Sequence, residues 1–477
     1  MSRATDVTRR IARWTAESAP VRSDLGLRRA VDAIQDTVAC MVAGAGDEGS
    51  YSVRRTVAGY GEGPVTVVGA RRGAIAPLAA LANGTSAHAL DFDDNYMPAL
   101  THASAVLVPA LLALAEQHDR SGAALVDAYI TGLEVHAAVG RGIGRRQYDL
   151  GWHSTSTIGC IGTAAACARL LGLDADTTTH AISLAVSHAS GAKVQFGSPG
   201  KPFHAGMAAH NAVLSATLAE QGLTARPDAI EGERGFADLY AGDPEADWTP
   251  ILDTLGQTPA IEAYGLAPKL YPCCGSAHRV LDSVLALRAE HGFDAGQVET
   301  VEALVGYGNK RNLCYDEPTQ EMEARFSLNY CVAVALLYGR VSLADFTPSA
   351  VGRPEVRALL HRTIMNATPA GAEGNDPTSR LPHEVRIRLK DGRVLESETL
   401  WARGTIHNPF AREDLNAKFA DCCAGILGDE DYDAALRGCQ DILALSSVRE
   451  LTRHLRFDAG SDRGERFVAR HQRGAAD

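Results

Sequence analysis

A few side chains in this sequence stand where packing alone does not ask for them. His153 follows a glycine turn in Gly151-Trp152-His153-Ser154-Thr155, and Lys201 lies in the loop Gly197-Ser198-Pro199-Gly200-Lys201-Pro202. A buried cation is costly unless an anion pairs with it, so Lys201 implies an anionic partner, read here as a substrate carboxylate. Upstream, Asp91, Asp93 and Asp94 crowd into four residues, and three such carboxylates cannot all be buried and ionised. One of them, Asp91, is expected in a cleft, orienting a histidine or acting as acid or base. Asp93 and Asp94 read as caps or solvated groups. His102 stands just before an apolar helix, whose dipole disfavours an imidazolium there and suits the ring to act as a neutral base. Lys269-Leu270-Tyr271-Pro272-Cys273-Cys274-Gly275-Ser276-Ala277-His278 opens a further helix. Its two cysteines read as packing residues, with a thiol reaching the site as the alternative.

These groups need elements to hold them. Between His153 and Lys201 lie two helical segments crowded with Ala, Gly, Ser and Cys, small residues that let helices approach closely in a buried bundle. Helical spacing also marks 7–17, 25–43, 51–60, 76–88 and a long apolar segment from 104, and 122–146 reads as a helix pair. The glycine cluster 59–64 reads as a turn before a short strand at 65–68 rather than as a nucleotide loop. The pattern changes after 266: 298–307 alternates as a strand does, and 382–400 reads as a hairpin around Asp391-Gly392, with helices at 321–337 and 354–365 between. After a linker at 401–409, helix resumes over 412–426, and the last twenty residues read as a frayed tail. The expected fold is mainly α: a large all-helical domain, 1–266 with 405–477, carrying an inserted smaller α+β lid domain, 267–404.

At 477 residues, with 45% hydrophobic and 22% charged residues, the chain is expected to be a soluble protein of more than one domain. Its formal charge of -12 argues against nucleic acid or an anionic membrane as partner. An acidic substrate would then require the few cations to be concentrated at the site. The ten cysteines include no C-x-x-C, so no zinc or iron–sulfur spacing is present. Scattered thiols and the lack of a signal-like or membrane-spanning run point to the cytoplasm.

Several segments together resemble the MmgE/PrpD family, which includes 2-methylcitrate dehydratase, cis-aconitate decarboxylase and iminodisuccinate epimerase. They are Ala82-Asn83-Gly84 through Asp91-Phe92-Asp93-Asp94; Gly151-x-His153-x-Thr155-x3-Gly159; Phe196-Gly197-x3-Lys201-Pro202-x-His204-x-Gly206; Lys269-x-Tyr271-Pro272-Cys273 with His278; Phe326-Ser327-Leu328-x-Tyr330; and His407-Asn408-Pro409-Phe410. They span nearly the whole chain. The resemblance implies a helical domain built from both chain ends, an inserted lid, a homodimer, and chemistry on small di- or tricarboxylates without metal or other cofactor. Carried over position by position, the family's active site falls on Asp91, His102, His153, Lys201, Lys269 and Tyr330. This sequence departs from the family pattern at Asn95, where many members have Thr or Ser, and at His102-Ala103-Ser104 in place of His-Pro-Ser.

The reactions of that family share one demand, control of a proton or of negative charge on a carbon beside a carboxylate. His102 and His153 are the candidate bases and Asp91 the group that fixes an imidazole tautomer. Lys201 and Lys269 are expected to bind carboxylates, with Asn95, Cys274 and His278 completing the binding set. Tyr330 is the expected donor to a leaving hydroxyl or an enolate carbon. His204 is a second-tier candidate, and His88, His136, His180 and His188 read as structural. The leading expectation is a hydro-lyase that removes water from a small polycarboxylate. Epimerisation and decarboxylation are the alternatives, and a carboxylate-binding scaffold is the non-catalytic one.

Overall fold

Small side chains decide how the helices of this chain meet. In the computed structural model, which describes residues 6–241, 247–374, 376, 378–462 and 466–467, the helical body contains α1 (Asp24–Gly44), α2 (Ala76–His88), α3 (Ser104–Gln117), α4 (Gly122–Ile143), α5 (Ser154–Leu171), α6 (Ala175–His188) and α7 (Gly200–Glu220). Helix α7 packs against α2, α5 and α6. Where it crosses α2, a Cβ on Gly84 would come within 3.0 Å of the Gly206 Cα, and one on Gly206 would run into the Thr85 hydroxyl and the Leu81 carbonyl. The crossing of α4 and α5 is similar, since a Cβ on Gly162 would collide with the His136 ring. The Ala- and Gly-rich composition is therefore what sets the distance between backbones.

The segment expected as a helix pair over 122–146 is one helix, α4. It ends at Gly144 with φ 68° and is followed by the short helix Arg146–Asp149. The strand expected at 65–68 reduces to a single bridge between Val65 and Ala74. Most of the tail expected over the last twenty residues lies outside the described residues.

The sheet-bearing part follows with α8 (Gly275–His291), β1 (Val298–Val305), α9 (Leu328–Tyr338), β2 (Thr363–Ala367), β3 (His383–Leu389) and β4 (Val394–Thr399). The strands lie in the order β2-β1-β3-β4. Strand β2 runs parallel to β1, with Val301 opposite Thr363, and the other pairs are antiparallel. Along β3, His383, Val385, Ile387 and Leu389 face inward while the residues between them face solvent, and α8 and α9 cover the buried face. Two sequence expectations change here. The helix expected over 321–337 breaks at Phe326 into Glu321–Arg325 and α9, because the Ser327 hydroxyl caps a new helix by accepting the Tyr330 N–H at 3.1 Å. The helix expected over 354–365 stops after Pro354–Arg357, and Thr363–Ala367 is claimed by the edge of β1, a non-local pairing that overrides local propensity.

After the sheet the chain returns to the helical body, where α10 (Arg412–Cys423) packs on α1. One apolar cluster joins α1–α7 with α10, and a second joins α8, α9 and the sheet. Arg325 ties the two, donating to the Leu90 carbonyl at 2.8 Å and the Pro272 carbonyl at 2.6 Å. Among the described residues no helix is long and apolar enough to cross a membrane.

Candidate active site

The starts of four helices meet at one cavity of about 180 Å³ between the two clusters. His102 precedes α3, His153 immediately precedes α5, Lys201 sits in the first turn of α7, and Cys274 and Gly275 open α8; all line the cavity. Helix starts carry unpaired N–H groups and the positive end of the dipole, so this convergence favours an anion. Backbone bonds fix the approach: the His102 N–H donates to Thr155 Oγ1 at 3.0 Å, and the His153 N–H to the Gly191 carbonyl at 2.9 Å. Gly191 has φ 107° and leaves no room for a Cβ beside Ser156.

Asp91 leaves α2 in the left-handed region, with φ 49°. Its carboxylate accepts from Lys201 and, at 3.0 Å, from Lys269, which also donates to the Asp91 carbonyl at 2.9 Å. Both lysines are at most 2% exposed, and the Lys201 ammonium lies 5.5 Å and 5.2 Å from the ring centres of Phe196 and Phe326. Asp91 therefore holds the two lysines rather than the tautomer of a histidine, as the sequence had suggested. Burial works against its charge, but the two ammonium groups outweigh burial and hold the carboxyl well below the ordinary range. Burial likewise opposes the Lys269 charge, and Asp91 and Asp93 override it and raise its pKa.

Asp93 and Asp94 are not solvated caps. Both are buried. Asp93 accepts the His88 Nδ1–H at 2.8 Å and lies 3.4 Å from His102 Nδ1. The carboxyl of Asp94 takes the Ser104 hydroxyl, which in turn lies 2.7 Å from the Tyr129 hydroxyl, and burial pushes Asp94 up to about 8, so it is protonated at neutral pH. From behind, Lys418 of α10 donates to the Phe92 carbonyl at 2.7 Å and pairs with Asp36 at 2.7 Å. Helix α10 thus braces the acidic run.

The backbone carbonyl of Asp94 accepts the His102 Nδ1–H at 2.8 Å. That bond places the proton on Nδ1 and leaves the Nε2 lone pair for the cavity. Burial, reinforced by Lys269, keeps the ring well below the usual histidine range, hence neutral. His153 Nδ1 lies 3.2 Å from His204 Nδ1, with one ring donating, while His153 Nε2 is buried with no hydrogen-bond partner among the described residues. Burial and Lys201 hold His153 neutral too, and burial brings His204 down to about 4. His88, read as structural, belongs to this group, with its ring centre 4.5 Å from that of His102 and 5.8 Å from that of His153.

Of the remaining expected residues, Asn95, Cys274 and His278 line the cavity. Asn95 exchanges backbone bonds with Ala267, at 2.9 Å each way. The Cys274 thiol is pushed up to about 11 by burial and Asp91 and stays protonated. His278 Nε2 lies 3.1 Å from the Cys273 carbonyl. Tyr330 does not line the cavity: it is buried in α9 and its hydroxyl donates to the Asp345 carbonyl. That placement removes it from the proton-donor role given to it from the sequence.

Sequence reasoning missed much of the positive charge. Lys201, Lys269, Arg145, Arg279, Arg380 and Arg403 line the cavity against two carboxylates, Asp91 and Glu373. Arg145 lies in the basic pair Arg145-Arg146 and Arg279 follows His278, but nothing in a sequence says which arginines turn inward. His88, Asp91 and His102 bring possible metal-binding atoms within 4.8 Å of one another. Both Asp91 oxygens already face ammonium groups, however, so a divalent cation there would meet like charge. The arrangement suits a small polyanion, with neutral imidazoles beside it to move a proton.

The chain is similar to known proteins along most of its length. Residues 9–249 match the MmgE/PrpD N-terminal domain and residues 271–442 the MmgE/PrpD C-terminal domain. Cis-aconitate decarboxylase of Mus musculus is 28% identical over 455 residues, covering 92% of this chain and 91% of that protein. The Homo sapiens protein of the same name is 28% identical over 391 residues, 78% of each chain. The cis-aconitate decarboxylase of Aspergillus terreus (strain NIH 2624 / FGSC A1156) is 26% identical over 474 residues, 94% of each.

Proposed function

The chain belongs to the MmgE/PrpD family, and from that premise we propose that it is a lyase acting on a small polycarboxylate. It moves a proton at a carbon beside a carboxylate held by Lys201 and Lys269. The observation that carries this reading is His102, neutral, with Nε2 turned to the cavity beside two buried lysines on one aspartate. Negative charge that develops on such a carbon spreads into the neighbouring carboxylate, where preplaced, buried ammonium groups stabilise it.

Two observations favour a carboxy-lyase over the hydro-lyase expected from the sequence. Tyr330, the proposed donor to a leaving hydroxyl, is outside the cavity, and relatives that match over 92% and 94% of the chain include proteins named cis-aconitate decarboxylase. In that reaction the carbon–carboxylate bond breaks, CO2 departs, and the electron pair left on carbon takes up a proton. A bound polyanion raises the proton affinity of the nearby imidazole, so His102 gains its proton with the substrate and gives it to carbon. The hydro-lyase remains the second reading, favoured by the same neutral His102, which can act as a base before any proton is supplied.

The test is proton NMR with CO2 detection on cis-aconitate and citrate-like hydroxy acids. The carboxy-lyase reading expects CO2 and a product one carboxylate shorter. New vinyl signals from a hydroxy acid without CO2 would establish the hydro-lyase. Tight binding across the panel with no turnover would refute both.

A further inference from the structure

The cavity carries a second cationic group that the proposed chemistry does not use. Arg145 follows α4, Arg279 lies in α8, and Arg380 precedes β3; all three line the cavity, as does Glu373. Arg145 NH1 sits 3.3 Å from Glu373 Oε2, and its NH2 donates to the Ser379 carbonyl at 3.3 Å. Its Nε is buried without a hydrogen-bond partner among the described residues. Arg279 is 7% exposed, and its one hydrogen bond among the described residues runs from NH1 to the Leu381 carbonyl at 2.6 Å. Glu373 also accepts the Leu381 N–H at 3.4 Å. Burial first, then mutual repulsion with Arg145 and Arg279, brings Arg380 down to about 10. Glu373 faces the three guanidinium groups from a loop that turns at Gly371 and Gly374 with φ 78° and 70°, and Asp376 adds a second negative charge near Arg380. Planar guanidinium forks are suited to carboxylates, and among the described residues the three guanidinium groups outnumber Glu373 and Asp376, the two acids set against them.

We propose that Arg145, Arg279 and Arg380 form a second carboxylate subsite, that a ligand already held at Lys201 and Lys269 places another of its carboxylates there, and that Glu373 competes for the same guanidinium groups. This rests on reading the cavity as a polycarboxylate site. The test is titration of the full chain with propane-1,2,3-tricarboxylate and with butanoate, which has the same three-carbon chain and one carboxylate. Arg279→Gln should weaken the tricarboxylate about tenfold or more, as loss of a charge-assisted pair would, and change butanoate less than about twofold. Glu373→Gln should tighten the tricarboxylate by about threefold or more by removing the competitor. If Arg279→Gln does not fold, as judged by circular dichroism, Arg145→Gln carries the same expectation. Equal weakening of both ligands, no weakening, or weaker tricarboxylate binding in Glu373→Gln would overturn the subsite while leaving the polycarboxylate reading in place. A wild-type chain that binds neither ligand would overturn both.

Discussion

Three acids stand within four residues and the chain buries each by a different means. Asp91 is neutralised by two lysines, Asp93 accepts from a histidine, and Asp94 keeps its proton. Removing the first device should be severe: Asp91→Asn leaves two buried ammonium groups without their carboxylate and should cost about 3–5 kcal/mol, read from denaturant unfolding. The third device has a pH signature. An unfolded Asp94 loses its proton near the ordinary value of 3.8, while the folded one holds it to about 8. Between those values the folded state binds the extra proton, so stability falls as pH rises and the loss is complete above about 8. Asp94→Asn holds no such proton. Between pH 5 and 7 the wild type should lose stability relative to this variant by about 1.4 kcal/mol per pH unit, and parallel stability curves would refute the assignment. Binding of propane-1,2,3-tricarboxylate should also take up a proton at His102, visible by calorimetry in buffers of different ionisation enthalpy. At this scale the sequence pointed to His102, His153, Lys201, Lys269, Asn95, Cys274 and His278, which line one cavity. It misplaced Asp93, Asp94 and Tyr330, because burial and hydrogen-bond partners are set by distant segments such as Asp345 and Lys418.

At the scale of elements, glycines and helix starts matter most. The α2–α7 crossing brings the acidic run, at the end of α2, against Lys201, at the start of α7. Gly206→Ala would drive a methyl group into Thr85 and Leu81. It should destabilise the chain by about 1–3 kcal/mol and weaken tricarboxylate binding as well, since the same displacement separates Lys201 from Asp91. A variant with lost stability but unchanged ligand affinity would uncouple the crossing from the site. Elements governed by local chemistry were readable in advance: the Asp391-Gly392 hairpin, and the helices with clear apolar spacing. Those governed by distant partners were not. Strand β2 exists because β1 offers an edge to Thr363–Ala367, and α9 starts where it does because Ser327 caps it.

For the whole molecule, the mainly helical fold with a smaller α+β part was evident from the change of pattern after 266, and the family from motifs spread along the chain. What composition concealed was the distribution of charge. In a chain of formal charge -12, the described residues that line the cavity include six cations and two carboxylates. The cavity lies between the two apolar clusters, so a ligand bound in it should stabilise both together. A tricarboxylate at about a hundred times its Kd should add about 2.7 kcal/mol and raise Tm, and Lys201→Met should abolish the shift. The most direct test of the central claim, that His102 carries the proton to or from carbon, is turnover of a tricarboxylate in D2O followed by proton NMR for wild type and His102→Gln, with binding titrated in parallel. The account predicts deuterium beside a carboxylate of the wild-type product, and incorporation slowed by about a hundredfold or more in His102→Gln while the tricarboxylate still binds. Deuterium entering the variant's product at the wild-type rate would contradict it.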